Sequence, residues 1–262
     1  MSARSRKEKK KKIAPREYRD RTYRRAVDSG GLVSSFVTVR ETDLHIMAPR
    51  KVEDEAYRSV LRFRNQLENY IAEHDDFLGA LVPLPVDALA PPMVREMMTA
   101  AAVADVGPMA AVAGAIAEYV ARDLLASGLT EVVVENGGDI FMHRVKECIV
   151  SVFAGQSPLS QRVGLRIPKQ GMPLAICTSS GTVGHSLSLG NADSVTVLAA
   201  QASLADAAAT RLGNEVAAAG DLGRALEIAR TIAGISGVVI IRDEELGAWG
   251  GVDLVRVGGG LP

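Results

Sequence analysis

Asp206 and Thr210 stand four residues apart in the segment Leu204-Ala205-Asp206-Ala207-Ala208-Ala209-Thr210. On a helix that spacing puts a carboxylate and a hydroxyl on one face. Paired oxygens of this kind suit a hard cation such as Mg²⁺. The same pattern also fits a solvated Asp beside a Thr bonded back into its own helix, and spacing alone leaves both readings open. Upstream lies Cys177-Thr178-Ser179-Ser180-Gly181, a hydroxyl-rich stretch ending in glycine. Such a loop can cradle phosphate through backbone N–H groups, or be an ordinary turn. His185 follows it and titrates near neutral pH, which makes it a candidate general acid or base; the alternative is an exposed loop histidine. Asn136-Gly137-Gly138-Asp139 reads as a tight hairpin turn, because two glycines permit positive φ. The same glycines would let a ligand approach the backbone, with Asn136 and Asp139 offering hydrogen bonds. Cys177 reads as a buried strand cysteine, since nothing electropositive beside it marks a thiolate. Neither G-x-x-x-x-G-K-[ST] nor a post-strand G-x-G-x-x-G occurs, so neither common nucleotide fingerprint applies.

These residues need strands and helices to hold them. Leu32–Val39 alternates apolar and polar residues, and Asp43–Met47 follows after a short break; together they predict a hairpin. Val52, Ala56, Val60, Phe63, Leu67 and Ile71 form a helical stripe. The stretch LVPLPVDALAPP is punctuated by proline and reads as a loop. Two Ala-rich helices, 92–104 and 109–126, are split by Gly107-Pro108, and Gly128 stops the second. Apolar runs predict strands at 131–135, 140–142, 148–153, 163–167, 174–178 and 194–198. Helices follow at about 203–218 and 222–233, and strands at 238–242 and 252–257 close the chain. Strands and helices without strict alternation predict an α+β class, with helices packed on mixed or antiparallel sheets.

The chain has 262 residues and a net charge of -1, enough for a substantial core. Hydrophobic residues make up 47%, which excludes a disordered chain. Aromatics are only 4%, which argues against stacking platforms for single-stranded nucleic acid and for close packing of small side chains. Two cysteines are too few for a disulfide framework or a zinc cluster, and they fit a reducing cytoplasm. Residues 4–25 are strongly basic, so the remainder is acidic. No apolar stretch follows this basic run, so export is not expected. No membrane span is expected either: the small-residue run at 109–126 is interrupted by Glu118, Arg122 and Asp123. Residues 1–25 read as a solvated basic tail, the alternative being a tail that binds nucleic acid or an anionic membrane, and 26–262 read as one domain. Deleting residues 1–20 is expected to leave the melting temperature nearly unchanged, as thermal unfolding would show.

Several segments, in order, resemble the ApbE-type flavin transferases. They are GAIAEYVARDLLASGLTEVVVENGGDI, then ICTSSGTVGHSLS, DSVTVLA and SLADAAATRL. The resemblance covers roughly residues 105–218. The opening YRDRTYRR…LVSSFVTVRETDLHI is similar to a smaller, uncharacterised ApbE-related family, and the chain is identified as a member of it. The resemblance implies an ApbE-like fold that binds FAD and Mg²⁺, a phosphate-bearing small-molecule ligand, and a protein partner whose threonine receives FMN. It places Asp206 and Thr210 on the magnesium-ligand positions. It places Gly137, Gly138 and Asp139 on the Gly-Gly-Asp turn beside the flavin, and Thr178, Ser179 and Gly181 on the Thr-Ser-Gly loop. His185 falls on the family's histidine.

This sequence departs from the family pattern at points that bear on chemistry. Ala113 stands where the family has a Lys or Glu before its helix glycine, Gly114. Ser188 and Leu189 replace the Asp and Pro of His-x-x-Asp-Pro, and the loop from Gly181 to Ser194 is short. The expectation is a flavin or nucleotide-phosphate cleft with inefficient FMN transfer. The alternatives are an accessory protein in sulfur assimilation, in homocysteine formation, or a non-catalytic binding module.

Overall fold

The computed structural model describes residues 30–182 and 190–258. Strands β1 (Val33–Val39) and β2 (Thr42–Ala48) form the opening hairpin, followed by helices α1 (Glu53–Glu73) and α2 (Pro92–Ala104). A 3₁₀ turn at Pro108–Ala111 leads into α3 (Val112–Ala126), then β3 (Val132–Asn136), β4 (Asp139–His143), β5 (Cys148–Ser151), β6 (Val163–Ile167) and β7 (Leu174–Ser179). The chain continues through β8 (Ser194–Ala199), α4 (Ala202–Glu215), α5 (Leu222–Ala229), β9 (Ile235–Arg242), β10 (Glu245–Gly250) and β11 (Leu254–Arg256).

Eight strands form one antiparallel sheet in the order β1-β2-β3-β4-β7-β8-β9-β10, and β11-β6-β5 form a second. The helices cover one face of the large sheet. That core holds Leu44, Ile46, Val132, Val134, Phe141, Val195 and Val197 against α1 to α5. The other face meets the small sheet through Met47, Val133, Met142, Ile176, Leu198, Val239 and Ile241, which pack with Leu165 and Ile167. Alternate residues of the central strands thus enter two different cores. This is why β8 reads as an unbroken apolar run, with all six residues buried.

Helix α4 is the hub of the helical layer. It touches α2, α3, β7 and β8. Ala202, Ala205, Ala207, Ala208 and Ala209 are fully buried, so the helix comes close to its neighbours on every side. It meets α3 closely at Gly114, where an added Cβ would lie 2.4 Å from the Ala202 carbonyl oxygen.

The predicted α+β class and most elements match this architecture. Several elements and boundaries differ. The strand β10 occupies a stretch that reads as a turn, because Gly247, Ala248 and Gly250 give no strand signal. The helix predicted from residue 109 begins as a 3₁₀ turn, and α4 and α5 end earlier than their apolar patterns suggest. Among the described residues no single helix is long and apolar enough to cross a membrane. The bent pair 92–104 and 108–126 has the length and composition, but its apolar residues are buried against the sheet and α4.

Candidate ligand and cation site

The β3–β4 turn is built by Gly137 and Gly138, with φ of 71° and 111°. Positive φ at both central residues is the geometry of a type I′ hairpin, matched to the twist of the flanking strands. Glu135 Oε1 accepts the Gly138 N–H at 2.8 Å and closes the turn. Asn136 Nδ2 donates to the Ala113 carbonyl at 3.0 Å, which ties the turn to the start of α3. The turn delivers Asp139 to the helix-facing side of β4, the side that Phe141 shares two residues on.

Asp139 is buried, and its Oδ1 accepts the Thr178 N–H at 3.2 Å. Asp206 projects from α4 toward the same place, and its Oδ2 accepts the Gly114 N–H at 2.9 Å. The open start of α3 thus meets a carboxylate, the favourable sign for a helix N-terminus. The two carboxyls sense one another. Burial first, and then the Asp206 charge, hold Asp139 well above the usual carboxylate range. Burial pushes Asp206 up to about 7, against the downward pull of the Gly114 and Ala113 N–H groups. Asp206 keeps a partly accessible edge, so water or a cation can reach it. Burial thus biases both carboxyls toward the protonated form. Cys177 lies beside it, with Sγ 3.5 Å from the Ala202 carbonyl oxygen. Burial and the two carboxylates raise its thiol well above the ordinary value, so it is no nucleophile.

The predicted residues do not all enter in the same way. Asp139, Asp206 and the Gly137-Gly138 turn meet at the junction of β4, α3 and α4. Thr210 lies one helical turn beyond Asp206, partly accessible. Thr178 contributes only its main chain here. Its hydroxyl is on the opposite face of the sheet, 2.9 Å from Thr196 Oγ1. Ser179 returns to the helix-facing side and is buried. Gly181 serves the loop's own fold: its N–H donates to Ala192 O at 2.9 Å, and an added Cβ would lie 2.2 Å from the Gly190 carbonyl oxygen. His185 lies outside the described residues.

Two supports carried no clear signal in the sequence. Glu118, 3% exposed on α3, accepts the Ala202 N–H at 2.6 Å and binds Arg122 at 2.6 Å. It fixes the start of α4, and hence the pitch at which Asp206 is presented. Asp193, 1% exposed, accepts from Thr182 Oγ1 at 3.2 Å and from the Asp243 N–H at 2.7 Å, anchoring both the loop after β7 and the β9–β10 turn.

Among the described residues no three His, Cys, Asp or Glu side chains converge as a metal cage. Two carboxylates and a hydroxyl are nevertheless a fitting donor set for Mg²⁺. That ion takes oxygen ligands and binds through one or two carboxylates, with water and substrate phosphates completing the shell.

Residues 24–237 match the family model described as AbpE bacteria. The chain is 39% identical over 228 residues to a UPF0280 protein of Methanococcus aeolicus, covering 84% of this chain and 90% of that one. The chain belongs to this ApbE-related family. A UPF0280 protein of Methanocella arvoryzae is 38% identical over 212 residues, covering 81% of this chain and 86% of its own. Among solved structures, flavin transferase ApbE from Vibrio cholerae aligns with a TM-score of 0.52 at 13% identity, over 84% of this chain and 96% of that one. The apo flavinyl transferase ApbE of Pseudomonas stutzeri aligns at 0.54 and 13%, over 84% and 94%. At such identities these two alignments establish the shared fold. The UPF0280 chain described here therefore has the ApbE-like architecture expected from its motifs.

Proposed function

We propose that this chain binds a phosphate-bearing flavin nucleotide together with a divalent cation, and transfers FMN poorly. The observation that carries the reading is the Asp139–Asp206 pair. Two neighbouring carboxyls, Asp139 buried and Asp206 partly accessible, both pushed upward in pKa, form a site that a cation would relieve. Among the described residues, too few side chains converge there to complete a cation's shell, which suits a ligand that brings its own phosphate oxygens. Asp206 and Thr210 would hold Mg²⁺, with Asp139 adding negative charge beside it. Bound Mg²⁺ would offset pyrophosphate charge and polarise phosphorus. The chain's own part is positional: the Gly114 N–H orients Asp206, the Thr178 N–H orients Asp139, and Gly138 leaves room beside the turn.

Ala113 and Ser188 stand where the resemblance expects charged groups. A serine hydroxyl cannot carry negative charge near neutral pH. Loss of an acid–base group lowers rates by ~10²-fold or more. Protein incubated with FAD and Mg²⁺, then desalted, should retain flavin absorbance. Mixed with a domain carrying a flavinylation threonine, it should give covalent flavin by mass at least ~10²-fold more slowly than an ApbE enzyme run alongside. Failure to retain FAD at any Mg²⁺ concentration would overturn the binding site. Transfer at the ApbE rate would overturn the inefficiency.

A further inference from the structure

Among the described residues, the edge of the large sheet at β1 pairs with no further strand, and it is self-complementary. The β1–β2 turn has two residues, so Val39 and Thr42 form a hydrogen-bonded pair. The alternation that follows aims the main-chain groups of Val33, Ser35, Val37 and Val39 at β2. Those of Ser34, Phe36 and Thr38 point away from the sheet. Lys51 confirms this direction, because its Nζ donates to the Ser34 carbonyl at 2.7 Å from outside. The strand Val-Ser-Ser-Phe-Val-Thr-Val contains no charge, no proline and no bulge. Natural edges ordinarily carry one of these to block pairing; here the one charge at the edge among the described contacts is Lys51, which must leave the Ser34 carbonyl when a partner strand docks. Phe36 is 55% exposed and Val33 37% exposed.

The other free edges among the described residues differ. Strand β10 carries Glu245 and two glycines, β5 has four residues and β11 has three.

We infer that β1 pairs antiparallel with β1 of a second copy of this chain, about a two-fold axis through Phe36. In that register Phe36 faces its own counterpart, Ser34 faces Thr38, Ser35 faces Val37, and Val33 faces Val39. The strand is therefore chemically close to a palindrome. The outward-pointing residues 34, 36 and 38 fall opposite one another, which closes about six backbone hydrogen bonds. The two valine pairs lie on the helix-facing side and the Phe36 pair on the other, so apolar contact forms on both faces. Within the paired strands no like charges meet: Arg40 falls opposite Leu32. Pairing of one edge with itself closes after two copies, whereas pairing of β1 with β10 would propagate into filaments.

Sedimentation velocity on the full chain across a range of concentrations should show a monomer–dimer equilibrium. Phe36→Lys sets two ammonium groups across the axis, and Thr38→Pro removes an outward N–H while sparing the bonds to β2. Each should weaken the dimer at least about tenfold. Glu245→Lys, on the opposite edge, should not. In the wild type, the Phe36 and Thr38 amides should gain protection from hydrogen exchange as concentration rises. This readout needs no variant, so it stands if a substitution disturbs folding. A wild type that remains monomeric, or a dimer whose Phe36 and Thr38 amides exchange at the monomer rate, would overturn the inference.

Discussion

Asp206→Asn should make the cation-free protein more stable at pH 7.5 and should remove its thermal response to Mg²⁺. In the unfolded chain Asp206 titrates near the model value of 3.8; in the folded chain it is raised to about 7. Between those values the folded state binds more protons than the unfolded state, so stability falls as pH rises and levels off above about 7. Asparagine keeps an oxygen for the Gly114 N–H and carries no charge. Full linkage over such a shift would amount to roughly 4 kcal/mol. Asp206 is partly open to solvent, so a gain of about 2 kcal/mol is expected, or roughly 5 °C in melting temperature for a chain of this size. The wild type should lose stability from pH 4 to pH 7 without Mg²⁺ and lose less with it, while the variant should show a shallower slope in both conditions. Scanning calorimetry across that range decides the matter. A variant less stable than wild type at pH 7.5, with an unchanged Mg²⁺ response, would place the cation elsewhere.

Gly114→Ala should be strongly damaging where α3 crosses α4. Alanine is the better helix former by about 1 kcal/mol. Against that gain, the new Cβ would lie 2.4 Å from the Ala202 carbonyl oxygen and 3.0 Å from the Asp206 Cβ. Backbone on α4 cannot swing aside as a side-chain tip can, so α3 and α4 must part. A loss of about 3 kcal/mol is expected, at the upper end for overpacking. Urea unfolding measures it. Because the Gly114 N–H holds Asp206, cation and nucleotide affinity should fall with stability. A neutral or stabilising result would mean that the two helices do not cross this closely.

Much of this architecture was legible in the residues. The period-2 alternation of β1, the glycine pair before Asp139 and the buried stripe on α1 each express a local rule. Strand β10 does not: Gly247 has no side chain to mark a face, and Leu226 and Leu222 of α5 fill the space above it. The proximity of Asp139 and Asp206 was implied by the family resemblance and by nothing local. It depends on β4, β7 and β8 lying side by side beneath α4. Alternation along β7 could have separated the Thr178 hydroxyl from the site, since Cys177 and Ser179 face the helices and Thr178 does not. Glu118 escapes any such rule. Its task is to hold the first turn of a helix far along the chain, and only tertiary structure shows that.

The clamps around the loop after β7 have a consequence for how this scaffold can diverge. Gly181 bonds to Ala192, Asp193 receives Thr182 and Asp243, and Asn191 N–H donates to the Val216 carbonyl at 2.7 Å. Gly190 lies so close to α4 that an added Cβ would be 1.8 Å from the Gly213 carbonyl oxygen. Both ends of residues 183–189 are thus fastened independently of whatever lies between them. Lengthening a closed loop costs only about 0.6 kcal/mol per doubling. The position is a modular socket: segments of different length can be exchanged between Thr182 and Gly190 while the clamps at Gly181, Gly190 and Asp193 keep their places.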